Sequence, residues 1–125
     1  MRFISPEEVY TINQEILGHE PFVRDRHLLR SAVTRPYIRM FGQEAYPTVF
    51  EKAGALLHAL AHDHVFADGN KRTATIATVR FLEDYNLQVT WTEEEAYAFV
   101  LEIAKGKLEI PEIAAWLEAH TTPIA

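Results

Sequence analysis

Apolar residues recur along the chain at helical spacing, and the breaks between these runs carry helix starts and stops. Ser5-Pro6-Glu7-Glu8 reads as a start, with Ser5 at the N-cap, Pro6 in the first turn and Glu8 placed for a capping box. Val9, Ile12, Ile16 and Leu17 give the stripe, and Gly18 the stop. Asp25 caps a short helix through Leu28, Leu29 and Val33. That helix should end at Arg35-Pro36, because a residue before proline is pushed out of the helical region. Tyr37 to Phe41 alternates weakly before Gly42. From Tyr46 to His62 the helical period is plain, through Tyr46, Val49, Phe50, Ala53, Leu56, Leu57 and Leu60.

Thr73 to Tyr85 is apolar on nearly every face, through Ala74, Ile76, Ala77, Val79, Phe81, Leu82 and Tyr85. Such a pattern predicts a buried central helix. Asn86 offers a left-handed stop, and Leu87 to Trp91 reads as short and extended. Thr92-Glu93-Glu94-Glu95 is a second capping box, opening a helix through Ala96, Phe99, Val100 and Ile103 that ends at Gly106. Pro111 starts a last helix with Ile113, Ala114 and Leu117 inward and Trp116 packed beside them. Residues 121–125 should fray. The expectation is an all-α bundle of roughly five or six helices, as one domain over residues 1–125.

Composition narrows the function classes. The 48% hydrophobic content suits a packed core and argues against disorder. The formal net charge of −6 argues against a general nucleic-acid binder. The charge is uneven. Arg24, Arg26, Arg30, Arg35 and Arg39 fall early; Glu93, Glu94, Glu95, Glu102, Glu109, Glu112 and Glu118 fall late. Most of these read as solvated surface, and the sharper alternative is a basic patch near a phosphate or an acidic partner. With no cysteine there is no disulfide framework and no thiolate zinc site, in keeping with a reducing cytosol. Met1-Arg2-Phe3-Ile4 runs directly into the first helix cap, which is unlike a signal peptide, and no run reaches membrane-spanning length.

The chemistry gathers in His64-Val65-Phe66-Ala67-Asp68-Gly69-Asn70-Lys71-Arg72, between the two most regular helices. A helix that starts here offers unpaired N–H groups and a partial positive charge, a seat for phosphate. Gly69 lets the backbone approach a ligand closely. Lys71 and Arg72 add full positive charge. His64 can take a proton from a hydroxyl, and Asp68 can hold a divalent cation that also binds phosphate oxygens. Phe66 reads as a plug that pins this loop to the core. Together these residues point to phosphoryl or nucleotidyl transfer to a hydroxyl. His58 and His62 lie four apart, but no convincing set of further metal ligands accompanies them or the His62-Asp63 dipeptide. Hydrogen-bonded histidines are the simpler reading.

The same stretch resembles the Fic/Doc signature, H-x-F-x-D/E-G/A-N-G/K-R, with His64, Phe66, Asp68, Gly69, Asn70, Lys71 and Arg72 filling every named position. Ile4-Ser5-Pro6-Glu7-Glu8 and Tyr46-Pro47-Thr48-Val49-Phe50-Glu51-Lys52-Ala53 also look like Doc-type sequences, so the resemblance covers most of the chain. It implies a Fic-fold helical bundle and ATP and Mg²⁺ as cofactors. It also implies a site in which His64 is the base and Asp68 the metal ligand. Gly69 and Asn70 would form an anion-binding turn, and Lys71 and Arg72 would neutralise phosphate. It further implies a flap before the motif that holds a target peptide by strand-like pairing, placed here between Arg35 and Ala45.

Two positions depart from Fic enzymes that transfer AMP. Lys71 stands where those have glycine, and Thr75 stands where they have a second arginine. A lysine there fills space that the glycine leaves for phosphate. Doc-type toxins share it, and the resemblance implies their chemistry: transfer of the γ-phosphate of ATP to a threonine of elongation factor Tu. A Phd-like antitoxin is the implied partner, and the cytoplasm the implied compartment. AMP transfer to a protein hydroxyl is one alternative; a Fic-fold protein that binds nucleotide or a partner without turnover is another.

Overall fold

The computed structural model describes residues 3–125; Met1 and Arg2 of the opening stretch lie outside the described residues. Helix α1 spans Pro6–Leu17. The Ser5 hydroxyl accepts from the Glu8 N–H at 3.1 Å while the Glu8 carboxylate accepts from the Ser5 N–H at 3.2 Å, and Gly18 closes the helix in the left-handed region. Helix α2 spans Arg26–Thr34 and is capped by Asp25, whose carboxylate accepts from the His27 N–H. The expected break at Pro36 takes another form. Arg35 keeps helical angles (φ −53°, ψ −39°), and a 3₁₀ turn, Arg35–Tyr37, continues the chain. Proline fits the first turn of a helix, where its missing N–H is not needed, and Pro36 is buried there.

A hairpin follows, β1 (Arg39–Met40) against β2 (Gln43–Glu44), antiparallel with Arg39 opposite Glu44. Its two central residues, Phe41 and Gly42, both have positive φ (52° and 76°), as the tight turns of two-residue hairpins require. Helix α3, Val49–His62, starts three residues later than its periodicity suggests. Tyr46 precedes Pro47 and is held out of the helix, and Thr48 caps it in a box with Glu51.

Helix α4 spans Asn70–Asp84 and begins three residues earlier than expected, so Asn70, Lys71 and Arg72 lie in its first turn. Its expected role as the buried central helix needs correcting. It buries Thr73, Ala74, Ala77, Thr78, Phe81 and Leu82 but exposes Lys71, Arg72, Ile76 and Arg80. The central position belongs to α3, which buries nine of its fourteen residues and touches α2, the 3₁₀ turn, α4, α5 and α6. Its small residues permit this. A Cβ on Gly54 would stand 3.4 Å from Ile113 and 3.5 Å from the Ala114 backbone. Short side chains on α4 misled the reading of its pattern: Ala and Thr satisfy either environment.

Strand β3 (Leu87–Val89), helix α5 (Glu93–Ala104) and helix α6 (Ile110–Ala119) follow. Trp116 packs as expected, stacked between Phe99 (3.8 Å) and His120 (3.7 Å). The chain end does not fray. Thr121–Pro123 forms β4, antiparallel to β3, with Val89 opposite Thr121, and Ile124 donates to the Asn86 carbonyl. Backbone pairing holds a tail whose composition gives no sign of it. The fold is thus mostly helical, with six α-helices and two short ribbons among the described residues. No helix of these residues is long and apolar enough to cross a membrane.

Candidate active site

The motif loop, residues 63–69, joins α3 to α4 and is held from three sides. Val65 and Phe66 are fully buried, so the expected plug is in place. Behind them runs the segment Phe22–Arg24. Val23 and Phe66 form an antiparallel bridge, the Arg24 N–H donates to the Val65 carbonyl (2.8 Å), and the Ala67 N–H donates to the Phe22 carbonyl (3.0 Å). From the front, the Asn70 side chain grips Phe66 twice. Its Oδ1 accepts from the Phe66 N–H at 2.9 Å and its Nδ2 donates to the Phe66 carbonyl at 2.8 Å. From α1, the Asn13 amide donates to the Asp68 carbonyl at 2.9 Å and to Thr73 Oγ1 at 3.0 Å.

This clamping leaves the reactive groups outside. His64 and Asp68 flank the buried pair and are exposed, as are Lys71 and Arg72. His64 sits in the left-handed region (φ 52°), which costs a residue with a Cβ on the order of 1 kcal/mol. The bonds to Val65 and Phe66 immediately after it hold it there. Gly69 caps α4 from the left-handed region with no side-chain cap, so the first N–H groups of the helix stay available to an anion. All six predicted site residues, His64, Asp68, Gly69, Asn70, Lys71 and Arg72, therefore lie within one loop and the helix turn after it.

Two of these residues also hold the loop in place. Gly69 was expected to make room for a ligand. A Cβ there would meet Asn13 Nδ2 at 3.0 Å and Leu17 Cδ2 at 3.4 Å, so on that side the missing Cβ makes room for α1. The Asn70 side chain is committed to Phe66, which leaves only its backbone N–H for an anion. Thr75 donates its hydroxyl to the Lys71 carbonyl at 2.8 Å. A cleft of about 570 Å³ opens beside Lys71, Arg72 and Thr75, walled by Ile76, Trp91 and Tyr97. That volume falls in the range of small-ligand sites.

The hairpin lies inside the stretch expected to carry a flap. Its tip, Phe41, is fully exposed, and Met40 and Ile38 are largely so. Its base is anchored by Lys52 of α3, only 6% exposed, whose ammonium donates to Glu44 (2.9 Å) and to the Tyr46 carbonyl. That ammonium, by hydrogen bond and charge, holds the Glu44 carboxyl below its usual range. His62 hydrogen-bonds Asp63 at 3.2 Å and stacks on His58; Asp63 also pairs with Arg35 at 3.4 Å.

Sequence reasoning passed over Asn13 and the Phe22–Arg24 segment. Asn13 left a signal, an amide on the apolar stripe four residues from Val9. The pairing of Val23 with Phe66 left none, because a single bridge across the chain has no local pattern.

A Fic/DOC family model matches residues 3–82. A protein named Toxin Doc from Mycolicibacterium smegmatis is 38% identical over 117 residues, which cover 92% of this chain and 90% of that protein. A protein named Protein kinase doc from Escherichia phage P1 is 29% identical over 117 residues, with 91% of each chain covered. The fold is a helical scaffold that presents the motif loop at the N-terminus of α4. The chain belongs to the Fic/DOC family, as a Doc-type member.

Proposed function

We propose that residues 1–125 form one Fic/Doc domain acting as the toxin of a toxin–antitoxin pair. Its reaction transfers the γ-phosphate of ATP to a threonine hydroxyl of elongation factor Tu and so stops translation. The observation that carries this reading is Lys71, an exposed cation beside Arg72 in the first turn of α4. A cation at a helix N-terminus is unfavourable unless an anion compensates it. Two such cations over free N–H groups suit a polyphosphate. The names of the two relatives, a toxin and a protein kinase, support the reading.

The residues fit magnesium–ATP. Asp68 is a single exposed carboxylate, and no group of three or more His, Asp or Glu gathers for a metal among the described residues. Mg²⁺ suits such a site, since it takes one or two carboxylates and completes its shell with phosphate and water. When bound, it supplies positive charge to the phosphate oxygens. His64 accepts the proton of the threonine hydroxyl as that oxygen bonds to the γ-phosphorus. The bond from the γ-phosphorus to the bridging oxygen breaks, and ADP leaves with it. Lys71, Arg72 and the first-turn N–H groups stabilise the charge on the transferring group. The β1–β2 hairpin pairs with the target segment. A Phd-like antitoxin covers the site with a segment that folds on binding, and both act in the cytoplasm.

The test is incubation with elongation factor Tu and ATP labelled at the γ- or the α-phosphate. Label from the γ-position alone supports the proposal. Label from the α-position means AMP transfer. Nucleotide binding without transfer of either label means a non-catalytic binder.

A further inference from the structure

A fully buried polar side chain behind the motif loop bears on the phosphate site. Asn13 is 0% exposed, in the middle of α1 between Ile12 and Ile16. It spends both amide hydrogens on α4 and the loop before it, one on the Asp68 carbonyl (2.9 Å) and one on Thr73 Oγ1 (3.0 Å). The two acceptors bracket Gly69, where an added Cβ would meet the same Nδ2 at 3.0 Å.

The peptide joining Asp68 to Gly69 is trans, as all described peptides are. In a trans peptide the N–H points opposite to the C=O. The carbonyl points at Asn13 and so toward α1. The Gly69 N–H therefore points away from α1, and no acceptor among the described residues meets it. We propose that Asn13 is a positioning residue: by gripping the Asp68 carbonyl it turns the Asp68–Gly69 peptide so that the Gly69 N–H faces phosphate. This rests on the phosphotransfer reading of the same loop. It gives that site a backbone donor whose aim is set from another helix. The bond to Thr73 secures Asn13 to α4, and the bond to Asp68 does the aiming.

Asn13→Leu keeps the number and branching of the side-chain heavy atoms and removes both donors; Thr73→Val removes only the securing contact. Both are measured for thermal midpoint and for kcat at saturating ATP, well below the lower midpoint. Wild type and Asn13→Leu are also titrated with inorganic pyrophosphate while the Gly69 amide is followed by NMR. Asn13→Leu should lose roughly tenfold or more in kcat, as small misplacements near reacting groups do. Its Gly69 amide should no longer respond to pyrophosphate. Thr73→Val should lower the midpoint and leave kcat near wild type. A folded Asn13→Leu with wild-type kcat and pyrophosphate response overturns the proposal, and so does a Thr73→Val that loses as much kcat. If Asn13→Leu does not fold, a Gly69 amide in wild type that pyrophosphate leaves unmoved overturns it equally. A wild type that transfers no phosphate refutes the reaction assigned above, while the pyrophosphate titration still tests Asn13.

Discussion

Asn70→Ala separates a side chain that binds ligand from one that builds the loop. The Asn70 amide makes two hydrogen bonds, both to the backbone of Phe66. Each such bond contributes about 0.5–1.5 kcal/mol net, and a buried group left without a partner costs more. Phe66 is only 1% exposed, so water cannot readily replace the lost partners. The loss should be about 2–3 kcal/mol. Unfolding entropy of about 2.1 cal/mol/K per residue converts 2 kcal/mol into a fall in Tm of roughly 8 °C for a chain of this length. Asn70→Asp keeps an acceptor for the Phe66 N–H and loses the donor to its carbonyl. A carboxylate in the first turn also interacts favourably with the helix dipole, by about 0.3–1 kcal/mol. It should therefore fall between wild type and Asn70→Ala. Urea unfolding followed by circular dichroism measures all three, with the slope expected to stay constant. If Asn70→Ala unfolds at the wild-type urea concentration, the amide does not hold the loop. Its role then reverts to the anion-binding turn that the family resemblance implies.

Three further outcomes follow from the same geometry. His64→Ala should keep its fold and nucleotide binding and lose roughly 10²–10⁴-fold in transfer rate, the range for a general base; near-normal turnover removes His64 from that role. Lys71→Gly should lower transfer at saturating ATP by roughly 10²-fold, as for loss of one preorganised charge donor. It should cost no more than about 1 kcal/mol of stability, and a wild-type rate would make Lys71 a bystander. Burial, reinforced by the neighbouring His62, holds the His58 imidazole below its usual range. The unfolded chain therefore binds that proton first. Stability should be intact above about pH 6.5 and fall as pH drops through the lower folded value. Thermal scans from pH 7 to pH 5 should show a shallower fall for His58→Phe, and an unchanged slope would refute the assignment.

How far the sequence could be read depended on whether each signal was local. Ser5 with Glu8 and Thr92 with Glu95 announced their helices because a capping box lies within four consecutive residues. The motif was legible for the same reason, since every group of the loop falls between His64 and Arg72. What holds that loop was not. Asn13 lies 55 residues from Asp68, and Val23 meets Phe66 through one backbone bridge. The order of burial was also hard to read. Alanine, threonine and glycine on α3 and α4 pack closely or face solvent with equal ease, so an apolar pattern on nearly every face promoted α4 over α3. β4 escaped notice because strand pairing at a chain end depends on β3, not on the tail itself.

Transfer of a single phosphate from ATP to a threonine hydroxyl, with His64 as the base, leaves a mass change on the acceptor protein. Intact mass spectrometry of elongation factor Tu, after incubation with the purified chain, ATP and Mg²⁺, tests it most directly. A gain of one phosphate is expected, localised to one threonine by fragmentation, and almost none over the same time with His64→Ala. A gain of one AMP, or an unchanged mass with folded, nucleotide-binding protein, would contradict this transfer.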